Sequence, residues 1–370
     1  MKTKTRLLAP CRLLLACLLA LASGCRVAPP IASYQGPQGL VRAGGAQEAE
    51  RVSGYFEALQ VEVDALLPGT NNRAKEVWVQ EQPALYTFHE AAYQEADGFW
   101  SESSSRIHLR RDCQSLRRTL AHELVHAALE GPWKTLPGTM EEGLCDVVSI
   151  LLCPEDATHM RTGRLSAAAF ATGGLNLEVE LFLSGSDSPE ALKIGTRSHV
   201  QLLADAQSDL RPEDVFSIAA GLSTTDMPVN DKKALYGLSF LVMERIVERV
   251  GLHGLYELCC EAQATGLESI PVSWLLNAAG LKGATIEDWR MALQEAIGPA
   301  ELDLLVKLYP SLLSNSTERF LGRQTQVIQG ATAKGVIAAS IRVRGADRQL
   351  ALKLDLIESA APVESIFRRE

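Results

Sequence analysis

The sequence predicts an α+β fold, on three observations. Short apolar stretches in the first third, at 76–80, 84–88 and 106–110, have strand character. From residue 112 the apolar spacing becomes helical. The tail from 316 to 370 returns to short alternations, VIAASIRVRG and LALKLDL, which predict two or three strands. The expected architecture is a small mixed-sheet N-terminal lobe, a mainly helical C-terminal lobe and a short β-rich extension.

The leader comes first. Lys2, Lys4, Arg6 and Arg12 precede an apolar run at 13–22, followed by Ala22-Ser23-Gly24-Cys25. A basic front, a short apolar middle and small residues at the end are the marks of an export signal over 1–24. The run is half the length of a spanning helix, which needs about twenty residues. Its end resembles the bacterial lipobox, and that resemblance implies that Cys25 is lipidated and anchors the exported chain in the cell envelope, at the outer membrane or outer surface. An ordinary cleaved signal and an uncleaved anchor are the alternatives. Residues 25–50, rich in Pro, Gly, Ala and Gln, read as a flexible tether.

A domain over 51–300 follows, with its N lobe to about 130 and its C lobe from 131. Val52, Phe56, Leu59 and Val63 fall at helical spacing within 50–66. One helix should end at Gly131-Pro132, and another should cover 140–152 after the turn at Pro137-Gly138. The stretch 154–228 reads as helices joined by polar loops. Strongly periodic helices follow at 231–250 and 253–264, with Gly251 as the cap between them, then at 271–279 and 285–297. Residues 301–370 form a C-terminal extension.

Composition narrows the function classes. With 46% hydrophobic and 22% charged residues the chain is globular, and its net charge of −9 carries no basic cluster for nucleic acid. Outside the leader, Cys113, Cys145, Cys153, Cys259 and Cys260 show no CxxC, so neither a zinc ribbon nor a redox motif is supported, although export permits disulfides. GxSxG elbows and phosphate-cradling glycine loops are also absent from the sequence.

The chemistry concentrates between residues 122 and 146. LRRTLAHELVHAALEG places HExxH on a helix, with His122 and His126 one turn apart on one face. Two imidazoles so spaced converge on one ion, and Glu123 beside the first is a base for a metal-acidified water. A catalytic zinc site needs a third protein ligand and one open position. The next segment, TMEEGLCDVVS, supplies carboxylates.

Together HExxH and this segment resemble the gluzincin metallopeptidases, the group that contains thermolysin and the zinc aminopeptidases. The resemblance covers about 80–300 and implies Zn2+ as the cofactor, Glu142 as third ligand and a peptide or protein as substrate. It also implies that Asp146 orients a zinc-bound histidine, which a carboxylate does by fixing the tautomer. Glu141 departs from the Asn common in that group. The segment DGFWSESSSRIHLRR looks like the edge strand before the active-site helix, with Ile107 and Leu109 inward. Tyr236 matches the position of an oxyanion donor.

Plainer readings accompany each feature. Thr139-x-x-Glu142 is a capping box, in which the glutamate serves the backbone. Tyr236 is equally a core or interface tyrosine, and His108, His199 and His253 are packing or surface residues. Cys145 reads as a small buried residue on another side of its helix, and Trp274 and Trp289 as core anchors. The rival function is a non-catalytic, peptidase-like envelope lipoprotein that binds or scaffolds, and a structural zinc site is a third reading.

Overall fold

In the computed structural model, residues 30–71, 73–81, 96–172, 175–185, 194–202, 210–219, 227–283, 285–297, 336–345 and 348–355 are described. The fold is mixed α and β and mostly helical. Cys25 and the strand expected at 84–88 lie outside the described residues. No helix among them is long and apolar enough to cross a membrane. The chain divides into two compact units, one from 1–60 and 73–127, the other from 61–72 and 128–370.

The first unit is built on a five-stranded sheet. Its strands are β1 (Ala32–Gln35), β2 (Leu40–Ala43), β3 (Glu76–Gln80), β4 (Gly98–Ser101) and β5 (Arg106–Arg110), in the order β1-β2-β3-β5-β4. Residues 32–43 are therefore strand and turn, where a flexible tether is the sequence expectation. Pairing supplies what composition conceals: β2 joins β3 in parallel, with Val41 opposite Val77, and β1 closes antiparallel on β2. Helix α1 (Ala46–Leu66) makes the crossover from β2 to β3 that a parallel pair requires. Its stripe Val52, Phe56 and Leu59 is fully buried, and so is one sheet face, Val41, Val77, Val79, Ile107 and Leu109.

β5 runs parallel to β3 and antiparallel to β4, so the edge strand is β4 and β5 is interior. Helix α2 (Leu116–Ala128) follows β5. Its start is capped by Ser115, whose Oγ accepts from the Arg118 N–H at 3.4 Å. Its end is held by Arg73, whose backbone N–H and Nε both donate to the Ala127 carbonyl, at 3.2 and 3.0 Å.

The second unit is organised by long helix α5. Helices α3 (Met140–Leu152) and α4 (Ala157–Ala171) precede it, α5 spans Val229–Ala264, and α6 (Val272–Ala279) and α7 (Ile286–Ala296) follow. At Gly251, φ 72° and ψ 171° break α5 into two helical segments, a backbone state that glycine tolerates. Arginines close the helix ends here. Arg290 donates to the Thr172 carbonyl beyond α4, Arg245 and Arg249 to the last carbonyls of α6, and Arg161 to Ala296 of α7.

The stretch 154–228 is only partly helical. After α4 the chain enters β6 (Leu175–Gly185) and β7 (Ile194–Leu202), and these join β8 (Val336–Gly345) and β9 (Arg348–Asp355) in an antiparallel sheet ordered β7-β6-β8-β9. The tail strands thus pair with a segment about 160 residues earlier, Leu181 facing Ile341. Long-range pairing of this kind leaves no local trace in sequence.

Candidate metal centre

α2 presents its two histidines together. His122 and His126 lie one turn apart and half-buried, with ring centroids 5.0 Å apart and Nε2 atoms 3.3 Å apart. Two nitrogens bound to one tetrahedral zinc at the usual bond length stand about 3.3 Å apart. The pair therefore fits a shared cation without rotamer change. Leu120, Leu124 and Val125 are fully buried and fix the helix rotation that brings these rings together. Glu123 is 5% exposed, so its carboxylate sits in a largely water-excluded setting.

His122, His126 and Cys145 form a group that could hold a metal ion, their ligand atoms all lying within 4.8 Å of one another. Cys145 thus does not point elsewhere on its helix, which corrects the sequence reading. The physical reason is spacing: Glu142, Cys145 and Asp146 stand at i, i+3 and i+4 on α3 and share one face.

Glu142 opens α3, half-buried. Its capping-box alternative fails. Thr139 makes no side-chain cap, its backbone N–H donates to the Val215 carbonyl at 2.8 Å, and its hydroxyl reaches Ser239 and Val215 instead. Glu141 and Glu142 lie in the first turn of α3.

Asp146 is fully buried and ion-paired with Arg164 of α4, Oδ2 lying 2.6 Å from Nε. Burial opposes the charge on Arg164, but the Asp146 carboxylate, then Glu142 and Tyr236, outweigh it and raise its pKa. The Arg164 guanidinium lies 5.3 Å from the centre of the Tyr236 ring, and Tyr236 is half-buried on α5. Arg164 is the residue that sequence reasoning missed, since no motif marks it.

The remaining candidates take structural parts. His108 is 8% exposed, stacked on Phe99 at 4.4 Å, edge-on to Trp78 and bonded through Nδ1 to Gln80. Burial, assisted by the Arg106 charge and opposed by Glu76, lowers its pKa to about 4, so it stays neutral. His253 is exposed beside Glu257, and Trp289 is buried in the core. Cys113, Cys259 and Cys260 are free thiols. Burial pushes Cys259 up to about 12, which leaves it protonated and inert.

No family model matches the chain, and no curated protein and no solved structure matches it either, so the reading of this centre rests on its own residues.

Proposed function

We propose that the chain is a zinc-dependent peptidase that hydrolyses peptide bonds. The observation that carries this reading is the 3.3 Å approach of the His122 and His126 Nε2 atoms, with a glutamate between them in sequence. Among the described residues the group that could hold a metal is His122, His126 and Cys145; Glu142 is not in it, and its part as third ligand rests on the resemblance of TMEEGLCDVVS to the gluzincins.

Zinc at this centre would supply a Lewis acid that brings the pKa of the attacking water close to neutrality. Glu123, 5% exposed, takes the proton from that water and passes it to the leaving amine. Tyr236 donates its hydroxyl hydrogen bond to the developing oxyanion, and Asp146 accepts from a histidine N–H and fixes its tautomer. On the resemblance of Ala22-Ser23-Gly24-Cys25 to a lipobox, Cys25 would carry a lipid anchor and this activity would be at the cell envelope.

Cys145 favours a second reading. A thiolate beside the two imidazoles could be the third ligand, and a fourth protein donor would then close the site, which is the mark of a structural one. One experiment separates the two: metal content of the purified protein, with digestion of a mixed peptide library with and without chelator. Chelator-sensitive cleavage supports the peptidase; full zinc occupancy without any cleavage sinks it in favour of the structural site.

A further inference from the structure

Helix α3 begins with an unusual allocation of its capping residue. Thr139 and Ser239 are both fully buried and lie 100 residues apart in sequence, yet their hydroxyl oxygens approach to 2.5 Å. Thr139 Oγ1 also lies 3.2 Å from the Val215 carbonyl, an acceptor only, so Thr139 gives its one proton to Val215 and receives the proton of Ser239. A helix N-cap threonine ordinarily turns its hydroxyl to its own N–H groups, worth about 1 kcal/mol. Here that contribution is forgone for a contact to another helix.

The contact is doubled in the backbone. A Cβ on Gly143 would overlap the Ser239 carbonyl oxygen, so α3 and α5 meet there with no side chain between them. A Cβ on Gly237 would overlap the Arg164 carbonyl of α4, which clamps α5 from another side. Between these anchors lie the two groups of interest. Glu142 stands three residues after Thr139 and one before Gly143, and Tyr236 stands three before Ser239 and one before Gly237.

We infer that the Thr139–Ser239 hydroxyl pair is a positioning device, which sets the rotation of the first turn of α3 and thereby the aim of the Glu142 carboxylate. The inference rests on the proposed role of Glu142 as a zinc ligand. The physical argument is one of tolerance. Ligand geometry must hold to a fraction of an ångström, and a helix end fixed only by packing can rotate about its axis, whereas a short hydrogen bond off that axis resists rotation. Thr139 and Ser239 act through Glu142 and touch no substrate.

The test uses the full chain and the variants Thr139→Val, Ser239→Ala and Thr139→Ser. Circular dichroism and Tm check that each variant is folded before zinc is measured. Without Ser239, Thr139 keeps the Val215 carbonyl; without the Thr139 hydroxyl, Ser239 turns back to a carbonyl of its own helix. Zinc affinity, read by competition with a chromophoric chelator, should fall about 10–100-fold in both, as for loss of an outer partner of a ligand. The double variant should be no worse than Thr139→Val alone, which already loses the Ser239 contact together with the one to Val215. Thr139→Ser should restore wild-type affinity. Unchanged zinc affinity in both deletions, whatever happens to Tm, would leave the pair as packing and overturn the inference. Wild-type protein that takes up zinc but cuts no peptide removes the peptidase and leaves the affinity measurement decisive, whereas wild-type protein that takes up no zinc overturns both readings.

Discussion

Asp146 and Arg164 form a buried ion pair, with Oδ2 2.6 Å from Nε and Oδ1 accepting from Nη2 at 3.2 Å. The carboxylate is fully buried, while the arginine side chain keeps 28% of its exposure. The asymmetry decides the cost of breaking the pair. Arg164→Ala removes the cationic partner of a fully buried carboxylate, at about 3–5 kcal/mol. Asp146→Asn leaves an arginine that still has a route to solvent and should cost less. Urea unfolding of the two variants checks the order; equal losses would mean that the pair is not buried as described.

Glycines at the helix crossings make a sharper prediction, because the sign differs between positions. Gly163 of α4 has nothing within 4 Å of a prospective Cβ, so Gly163→Ala should stabilise by about 0.5–1 kcal/mol through helix propensity. Gly143 and Gly237 sit against backbone, and there the alanine must push helices apart, with overpacking costs of about 1–3 kcal/mol that exceed the propensity gain. Thermal unfolding of the three single variants gives the signs directly.

These contrasts show what was legible in the chain. The helix carrying Glu142 was readable to its ends, 140–152, since its apolar residues repeat at helical spacing after Pro137-Gly138. The break at Gly251 was readable for the same reason. β1 and β2 were not, because four-residue strands in a Pro- and Gly-rich segment carry almost no period and exist by pairing with β3. β6 did carry a signal: Leu175, Leu177, Val179, Leu181 and Leu183 alternate strictly. At the centre, the His122–His126 spacing was legible because one helix carries both residues. The Asp146–Arg164 pair was not, since it depends on how α3 and α4 cross. Cys145 was legible in principle, as i+3 from Glu142 puts both on one face.

His108 makes stability pH-dependent in a direction set by its burial. Its folded pKa is about 4, below the ordinary 6.5, so the unfolded chain binds the proton more readily. Its contribution is fully present above pH 6.5, and falls as pH drops from 6.5 through about 4. The loss should be on the order of 2–3 kcal/mol. His108→Phe keeps the stacking on Phe99 and Trp78 and removes the proton, so its Tm should change less with pH across that window. Parallel Tm-against-pH curves for wild type and variant would exclude His108 as the source.

Glu123→Gln tests the assigned base. The amide keeps the shape and much of the local hydrogen bonding but cannot take a proton. Turnover should fall by about 10²–10⁴-fold while zinc content and Tm stay near wild type. Retained hydrolysis with full zinc would assign the base elsewhere.

Glu142 and Cys145 compete for the same place in the chemistry, and their variants decide between an open and a closed centre. In the peptidase reading Glu142 binds the metal and Cys145 does not. Glu142→Gln should then lower zinc affinity at least about 10-fold, the smallest loss seen even for outer partners of a ligand, and Cys145→Ser should leave affinity and turnover unchanged. In the structural reading both donors bind, so both substitutions lower affinity. The cobalt-substituted protein adds a readout that needs no substrate, because a thiolate ligand gives a strong near-ultraviolet charge-transfer band that imidazole and carboxylate do not. Such a band, lost in Cys145→Ser, would establish the thiolate as a ligand. Its absence in the cobalt-loaded wild-type protein would exclude the thiolate and leave the two histidines without Cys145 as their third ligand.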